Sequence, residues 1–319
     1  MGTYLIRRLI IAVVIIIIVT LIVFFSLRLL PGDPLVIFLG QSAGSGVISA
    51  EEIERLRHVY GLDLPLVAQY GKWLWGVLQG NLGTSIYYHD NVGTLMGDRF
   101  PITLHLGLVA FVIANAGGIL LGMIAAVRRG TWIDSVTTTL ANIGITIPVF
   151  WLGIMMILLF GLWLGWLPIA GYTSPTEDFW LSMRQSVMPI VCLAVTGLAG
   201  TARLMRSSML EVVRQDYIRT AWYKGLRERF VIMRHALKNS LIPIVTVMGI
   251  GLGLIFGGSV LIETVFAIPG IGRLLVTSIF AQDYIVIQSG TLVIAVIIIL
   301  ANVLVDVAYG WLDPRIRYG

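Results

Sequence analysis

Between Leu9 and Leu30 the chain offers one charged residue, Arg28, and two hydroxyls, Thr20 and Ser26, and is otherwise apolar. An α-helix rises about 1.5 Å per residue, so about 20 such residues cross the roughly 30 Å hydrocarbon core of a bilayer. The run is longer than the apolar core of a secretory leader, and no small-x-small cleavage pattern follows, so a retained first spanning helix is expected. Further apolar runs predict spans at about 102–127, 136–166, 187–205, 241–263 and 289–312. Only 12% of residues are charged, against about a quarter in soluble domains. The third run is interrupted by Pro148, and the fourth contains Pro189, Gly197 and Gly200. Lipid tolerates such residues where neighbouring helices satisfy the freed backbone groups. The fold class expected is all-α: a polytopic membrane protein with six transmembrane helices.

The basic residues assign the sides. Fifteen of the Lys and Arg residues fall in the segments around Arg7, Arg128, the stretch Arg203–Lys238 and Arg315. The alternate segments hold seven. By the positive-inside tendency the richer set is cytoplasmic, which places both termini inside. The expected organisation is a first helix over 1–30, an extracytoplasmic segment over 31–100, a membrane core over 101–312 with a cytoplasmic loop at 206–240, and a cytoplasmic tail at 313–319.

The segment 31–100 predicts two short helices. Ser49 and Glu52 form a capping-box pattern, Ile53, Leu56 and Tyr60 share a face, and Gly61 supplies a stop. A second helix opens at Pro65 and ends before Gly80, with Leu66, Tyr70, Trp73, Leu74 and Val77 as its apolar stripe. Over 264–288 a Pro-Gly turn leads into another amphipathic helix through Leu274, Leu275 and Phe280.

The loop 206–240 is the most charged part of this greasy chain. Asp216 can cap a helix over Tyr217–Lys224, and Gly225 ends it, because glycine reaches the left-handed conformation at low cost. Two turns are unstable alone in water, so something must hold them. A second helix is expected with Phe230, Met233 and Leu237 on one face and Arg227, Arg234 and Lys238 on the other, before Pro243 opens the fifth span. Two uses fit such a loop: a basic surface against lipid headgroups, or a docking element presenting Trp222 and Tyr223 to a partner.

The chain has no G-x-x-x-x-G-K-[ST] phosphate loop and no nucleophile–base pattern. Its histidines, His58, His89, His105 and His235, are scattered, and its one cysteine, Cys192, reads as a small buried hydrophobe. Mid-span positions are nearly all neutral, which disfavours a proton relay and a stand-alone secondary carrier. Asn115, Asn142, Thr146 and Asn302, with Gly249 and Gly253, are candidates for a translocation path. Interhelical hydrogen bonding and close packing are the competing roles for these residues, as for Gly117, Gly118 and Gly122.

"DYIRTAWYKGL", followed by "HALKNSLIPIVT", resembles the cytoplasmic signature (EAA) loop of ABC-importer permeases. The peptide-permease branch reads D-Y-[IV]-R-T-A-x-x-K-G, and Asp216, Tyr217, Ile218, Arg219, Thr220, Ala221, Lys224 and Gly225 match it. "LPGDP" at 30–34, "GLDLPLVAQY" at 61–70, "GNLGTS" at 80–85, "IETVFAIPGIGRLL" at 262–275 and "LVDVAYGWLDPRIRY" at 304–318 resemble the same branch. The resemblance implies the type I importer (MetI-like) permease fold and the first permease subunit of a dipeptide, oligopeptide, nickel or glutathione importer. It implies a second permease, two ATPase subunits and an extracytoplasmic binding protein as partners, in a bacterial or archaeal inner membrane. ATP and magnesium would be held by the ATPases, and no cofactor by this chain. The coupling residues implied are Asp216, Tyr217, Arg219, Thr220, Ala221, Trp222, Tyr223, Lys224, Gly225 and Leu226. Of these, Asp216 would be the cap, Arg219 and Lys224 polar contacts, Ala221 the point of close approach and Gly225 the turn. The sequence departs from the wider family in having Arg219-Thr220-Ala221 for Glu-Ala-Ala, and from the peptide branch in the bulk of Trp222-Tyr223.

Overall fold

The computed structural model describes residues 2–29, 61–312 and, between them, Glu51, Glu54, Arg55, Arg57 and His58. The capping box at Ser49 and Glu52, the face of Ile53, Leu56 and Tyr60, and the tail 313–319 lie outside the described residues. No β-strand occurs among the described residues; a single antiparallel bridge pairs Thr84 with Asn91. The principal helices are α1 (Gly2–Arg28), α2 (Leu66–Leu78), α3 (Val92–Val127), α4 (Trp132–Thr146), α5 (Val149–Met156), α6 (Phe179–Val212), α7 (Asp216–Tyr223), α8 (Leu237–Val265), α9 (Ile271–Phe280) and α10 (Tyr284–Leu312).

Five helical stretches among the described residues are long and apolar enough to cross a membrane. A sixth crossing exists if α4 and α5 with its π-helical extension Ile157–Trp163 form one span, and these two are bent by 102°. The third span expected at 136–166 is therefore not a single rod. Ile147 precedes Pro148 and takes an extended conformation (φ −67°, ψ 124°), as the clash with a following proline ring favours. Pro148 (ψ 126°) then caps α5 instead of continuing α4. The fourth run was expected to be short, but α6 extends over 34 residues with Pro189 inside it. Pro243 likewise lies within α8 and does not open it.

The chain forms two compact units, one of residues 1–101 and 270–319, the other of 102–269. In the first, Val92, Leu95 and Met96 pack with Ile271, Leu274 and Val286, and Leu27 of α1 packs with Tyr284 and Ile287. On α2, Tyr70, Trp73, Leu74 and Val77 are partly buried while Leu66 is exposed. Its first helical residue is Leu66, with Pro65 just outside as N-cap. On α9 the buried face is Ile271, Leu274 and Ser278; Phe280, expected on the apolar face, is exposed. Asp283 organises the junction before α10. It accepts hydrogen bonds from the Ser85 hydroxyl and the Tyr87 N–H (3.1 Å), and caps α10 through the Val286 N–H (3.3 Å).

In the second unit one cluster joins Leu106, Ala110 and Ala114 of α3, Met188, Cys192 and Ala194 of α6, and Ile262 and Phe266. Cys192 is fully buried there, as its sequence context implies. Close approach of α3 to α6 depends on two glycines. A Cβ on Gly118 would lie 2.8 Å from the Leu198 carbonyl oxygen, and one on Gly122 would lie 2.4 Å from that of Ala202. Both distances are shorter than real Cβ contacts allow, so packing is the role of these small residues. Arg206 of α6 grips Asp134 of α4 with both nitrogens, at 2.6 and 2.8 Å.

Candidate coupling and translocation sites

The helix α7 starts one residue earlier than expected. Asp216 belongs to its first turn, where a carboxylate favours the positive helix end, and Gln215 is the N-cap with no side-chain bond. At the other end Gly225 adopts φ +73°. The N–H of Gly225 donates to the Trp222 carbonyl (2.9 Å) and that of Leu226 to the Ala221 carbonyl (3.4 Å). This is the Schellman pattern of a glycine-terminated helix, so the turn predicted at Gly225 is present.

The helix is amphipathic by contact. Ile218 is fully buried and Ala221 is 7% exposed, both packed in a cluster with Met205, Met209, Val231, Ala236 and Ile244. Burying an isoleucine side chain contributes about 1.5–3 kcal/mol, which explains how two turns persist. Tyr217 adds a tether, accepting a hydrogen bond from Asn239 Nδ2 at 2.8 Å. Ala221 therefore faces this chain's own core, not outward as a point of close approach. The outward face carries Tyr217, Arg219, Thr220, Trp222, Lys224 and Leu226, with Tyr223 86% exposed. Arg219 lies 3.9 Å from Asp216, both in open solvent, and a pair of that kind contributes little.

The segment after Gly225 departs from the expected amphipathic helix. A short turn, Glu228–Phe230, runs into a π-helix over Val231–Ala236 before α8. The wider turn places Val231 and Ala236, five residues apart, on the buried side. Phe230 and Met233, assigned to the apolar face at α-helical spacing, are exposed instead. Like Trp222 and Tyr223, they are exposed side chains of the same loop.

A cavity of about 540 Å³ lies among α3, α5, α6 and α8. It is lined mainly by apolar and small residues, including Phe111, Leu193, Thr196, Gly200, Met248 and Ile255. Of the path candidates only Asn115 lines it, while donating to the Phe111 carbonyl (2.8 Å) and accepting from the Thr201 hydroxyl (3.3 Å). Gly249 and Gly253 are buried on α8 but do not line it; Gly251 between them does. Asn142, Thr146 and Asn302 are exposed and lie elsewhere. The Thr146 hydroxyl bonds back to its own helix, at Asn142 and Ile143. The cavity residues missed in the sequence, Thr196, Gly197, Gly200 and Thr201, carry one signal: small side chains recurring along α6.

Membrane-length helices around an apolar cavity, with a glycine-stopped aromatic helix on the connecting loop, fit a multi-pass membrane permease. The chain belongs to the family of binding-protein-dependent transport system inner membrane components, whose model matches residues 118–318, and the N-terminal domain model of the same family matches residues 1–107. It is 42% identical to a putative peptide transport system permease protein of Brucella abortus, with 92% of each chain covered. It is 39% identical to the di/tripeptide transport system permease protein DppB of Pseudomonas aeruginosa, over 100% of this chain and 99% of that one. Identity to the dipeptide transport system permease protein DppB of Escherichia coli is 38%, over 99% and 98%.

Proposed function

We propose that the chain is the first permease subunit of an ATP-driven, binding-protein-dependent importer of di- or oligopeptides. Names of relatives at 38–42% identity over nearly their full length support the peptide cargo; nickel, glutathione or another small solute is the alternative within the same class. A second permease completes the translocation path. Two cytoplasmic ATPase subunits bind ATP and magnesium, and one receives α7. An extracytoplasmic binding protein delivers cargo. Both termini and the loop 206–240 lie in the cytoplasm, in keeping with the distribution of Lys and Arg.

The observation that carries this reading is the two-sidedness of α7. Ile218 and Ala221 root it in the packed helices, while Trp222, Tyr223 and Leu226 face away. A helix anchored on one side and aromatic on the other transmits displacement as a rigid lug. Closure of the ATPases then rocks the spans and alternates access to the cavity. The test is reconstitution of the chain with its genetic neighbours in proteoliposomes. Gly225→Asp should leave membrane insertion and ATP hydrolysis in place and abolish peptide uptake. Undiminished uptake in that variant overturns the lug.

A further inference from the structure

The first compact unit contains a cavity of its own, of about 210 Å³, which shares no lining residue with the one described above. Its wall combines cations, amides and aromatic surface: Arg28, Lys72, Gln69, Gln288 and Trp73. Arg28 is the last residue of α1 and stands near the end of the first apolar run. Its guanidinium is half-buried, stacked over the Phe24 ring at 3.5 Å from the centroid. Nε donates to Gln69 Oε1 (3.0 Å), while Nη1 donates to Gln288 Oε1 (3.3 Å) and the Phe24 carbonyl (3.4 Å). Those partners are neutral, and none of the ion pairs among the described residues involves Arg28 or Lys72.

Gln288 is 3% exposed, and its Nε2 has no hydrogen-bond partner among the described residues. A buried donor left unmade costs about 1–3 kcal/mol. Both amides turn their acceptor oxygens to Arg28; Gln69 Nε2 donates to the Leu62 and Leu64 carbonyls (3.2 and 2.8 Å), so the unspent amide donor on the wall is Gln288 Nε2. Lys72 reaches across the same mouth: its Nζ lies 3.4 Å from where a Cβ on Gly61 would be, so glycine leaves room for it. Two cations and an orphaned amide donor converge on a cavity with no carboxylate in its lining, where the chain leaves its apolar run and a tryptophan faces the cavity; the exposed Asp63, outside the lining, is a carboxylate that senses Lys72. Tryptophan and snorkelling basic side chains are characteristic of the membrane–water interface.

From this geometry we propose that the cavity between α1, α2 and the start of α10 binds a single phosphate group, supplied either by an anionic lipid headgroup or by free phosphate. The Nη2 end of the guanidinium, which makes none of these bonds, and the Lys72 ammonium neutralise the charge, and Gln288 Nε2 gains the acceptor it lacks. Trp73 provides a flat apolar wall beside the headgroup.

The test uses the full chain in mild detergent, by native mass spectrometry, with dioleoylphosphatidylglycerol and dioleoylphosphatidylcholine of identical tails. Phosphatidylglycerol should be retained preferentially, and Lys72→Gln and Arg28→Gln should each reduce that preference about fivefold. Lys72 is exposed, so Lys72→Gln preserves the fold even if Arg28→Gln does not, and Lys72→Arg should keep the preference. If millimolar inorganic phosphate displaces the lipid, or stabilises the wild type but not Lys72→Gln, the site accepts the free anion as well. Absence of both a phosphatidylglycerol preference and a phosphate effect overturns the proposal. So does a preference unchanged in Lys72→Gln and Arg28→Gln.

Discussion

Arg206 and Asp134 face each other squarely across α6 and α4, with Nε to Oδ1 at 2.6 Å and Nη2 to Oδ2 at 2.8 Å. Asp134 also receives the Gly130 N–H at 3.0 Å, so one carboxylate closes the α3–α4 turn and ties α4 to α6. Removing one partner strands the other charge in a largely buried site. Asp134→Ala should lower the stability of the solubilised chain by about 2–4 kcal/mol. Asp134→Ala combined with Arg206→Met should cost less than the two single changes summed. Thermal melts of the four proteins give the coupling energy, and strict additivity would show that the pair is idle.

The glycines of α3 and α6 have opposite roles. Gly118 and Gly122 are pressed against the α6 backbone, whereas a Cβ on Gly200 would meet nothing within 4 Å and would project beside the cavity. Gly122→Leu should overpack the α3–α6 contact by about 1–3 kcal/mol or more and reduce the monodisperse peak on size exclusion. Gly200→Leu should fold at least as well as wild type, since helical glycine costs about 1 kcal/mol against better helix formers. On the proposed importer function it should slow uptake by filling the passage.

Ala221 and Tyr223 separate the anchored face of α7 from its exposed face, two positions apart. Ala221→Asp puts a carboxylate against Ile218, Val231 and Ala236, and should release the helix, read as new protease cleavage near residue 225. Tyr223→Ala removes an 86% exposed ring and should leave the melt unchanged within about 0.5 kcal/mol. Under the proposed coupling it should weaken co-purification of the ATPase. Equal protease sensitivity in the two variants would count against the two-sided assignment.

Asp283 is fully buried and accepts three hydrogen bonds. Asp283→Ala uncaps α10 and orphans the Ser85 hydroxyl and the Tyr87 N–H. A loss of about 2–4 kcal/mol is expected from the cap and the unmade bonds together. Asp283→Asn keeps an acceptor and should recover part of it, as measured by the midpoint of thermal unfolding.

Local chemistry was legible wherever it acts over a few residues. Gly225 stops α7 because, lacking a Cβ, it takes the left-handed conformation at low cost. Pro148 breaks the third apolar run because its ring disfavours a helical residue before it, although Pro189 and Pro243 are carried inside helices. What happens across the chain was not. Nothing in the spacing of Phe230 and Met233 announces a π-turn that exposes them and buries Val231 and Ala236. Nothing local pairs Asp134 with a residue 72 positions away. Ala221 reads as a contact for a partner by its motif, yet the packing of α7 on α6 and α8 turns it inward.

By itself, then, the sequence determined that this chain is helical and resides in a membrane. Runs such as Leu9–Leu30 cannot be solvated, and a helix satisfies every backbone group from within. It also determined where the helical runs are interrupted, through Pro148 and Gly225. Only the tertiary structure decided which faces meet. It set the 102° bend between α4 and α5, selected Gly118 and Gly122 for close packing and Gly200 for the cavity, and brought Arg28 and Lys72 to one pocket. These outcomes depend on which helix occupies the neighbouring space, and side-chain packing across helices resolves what periodicity along one helix leaves degenerate.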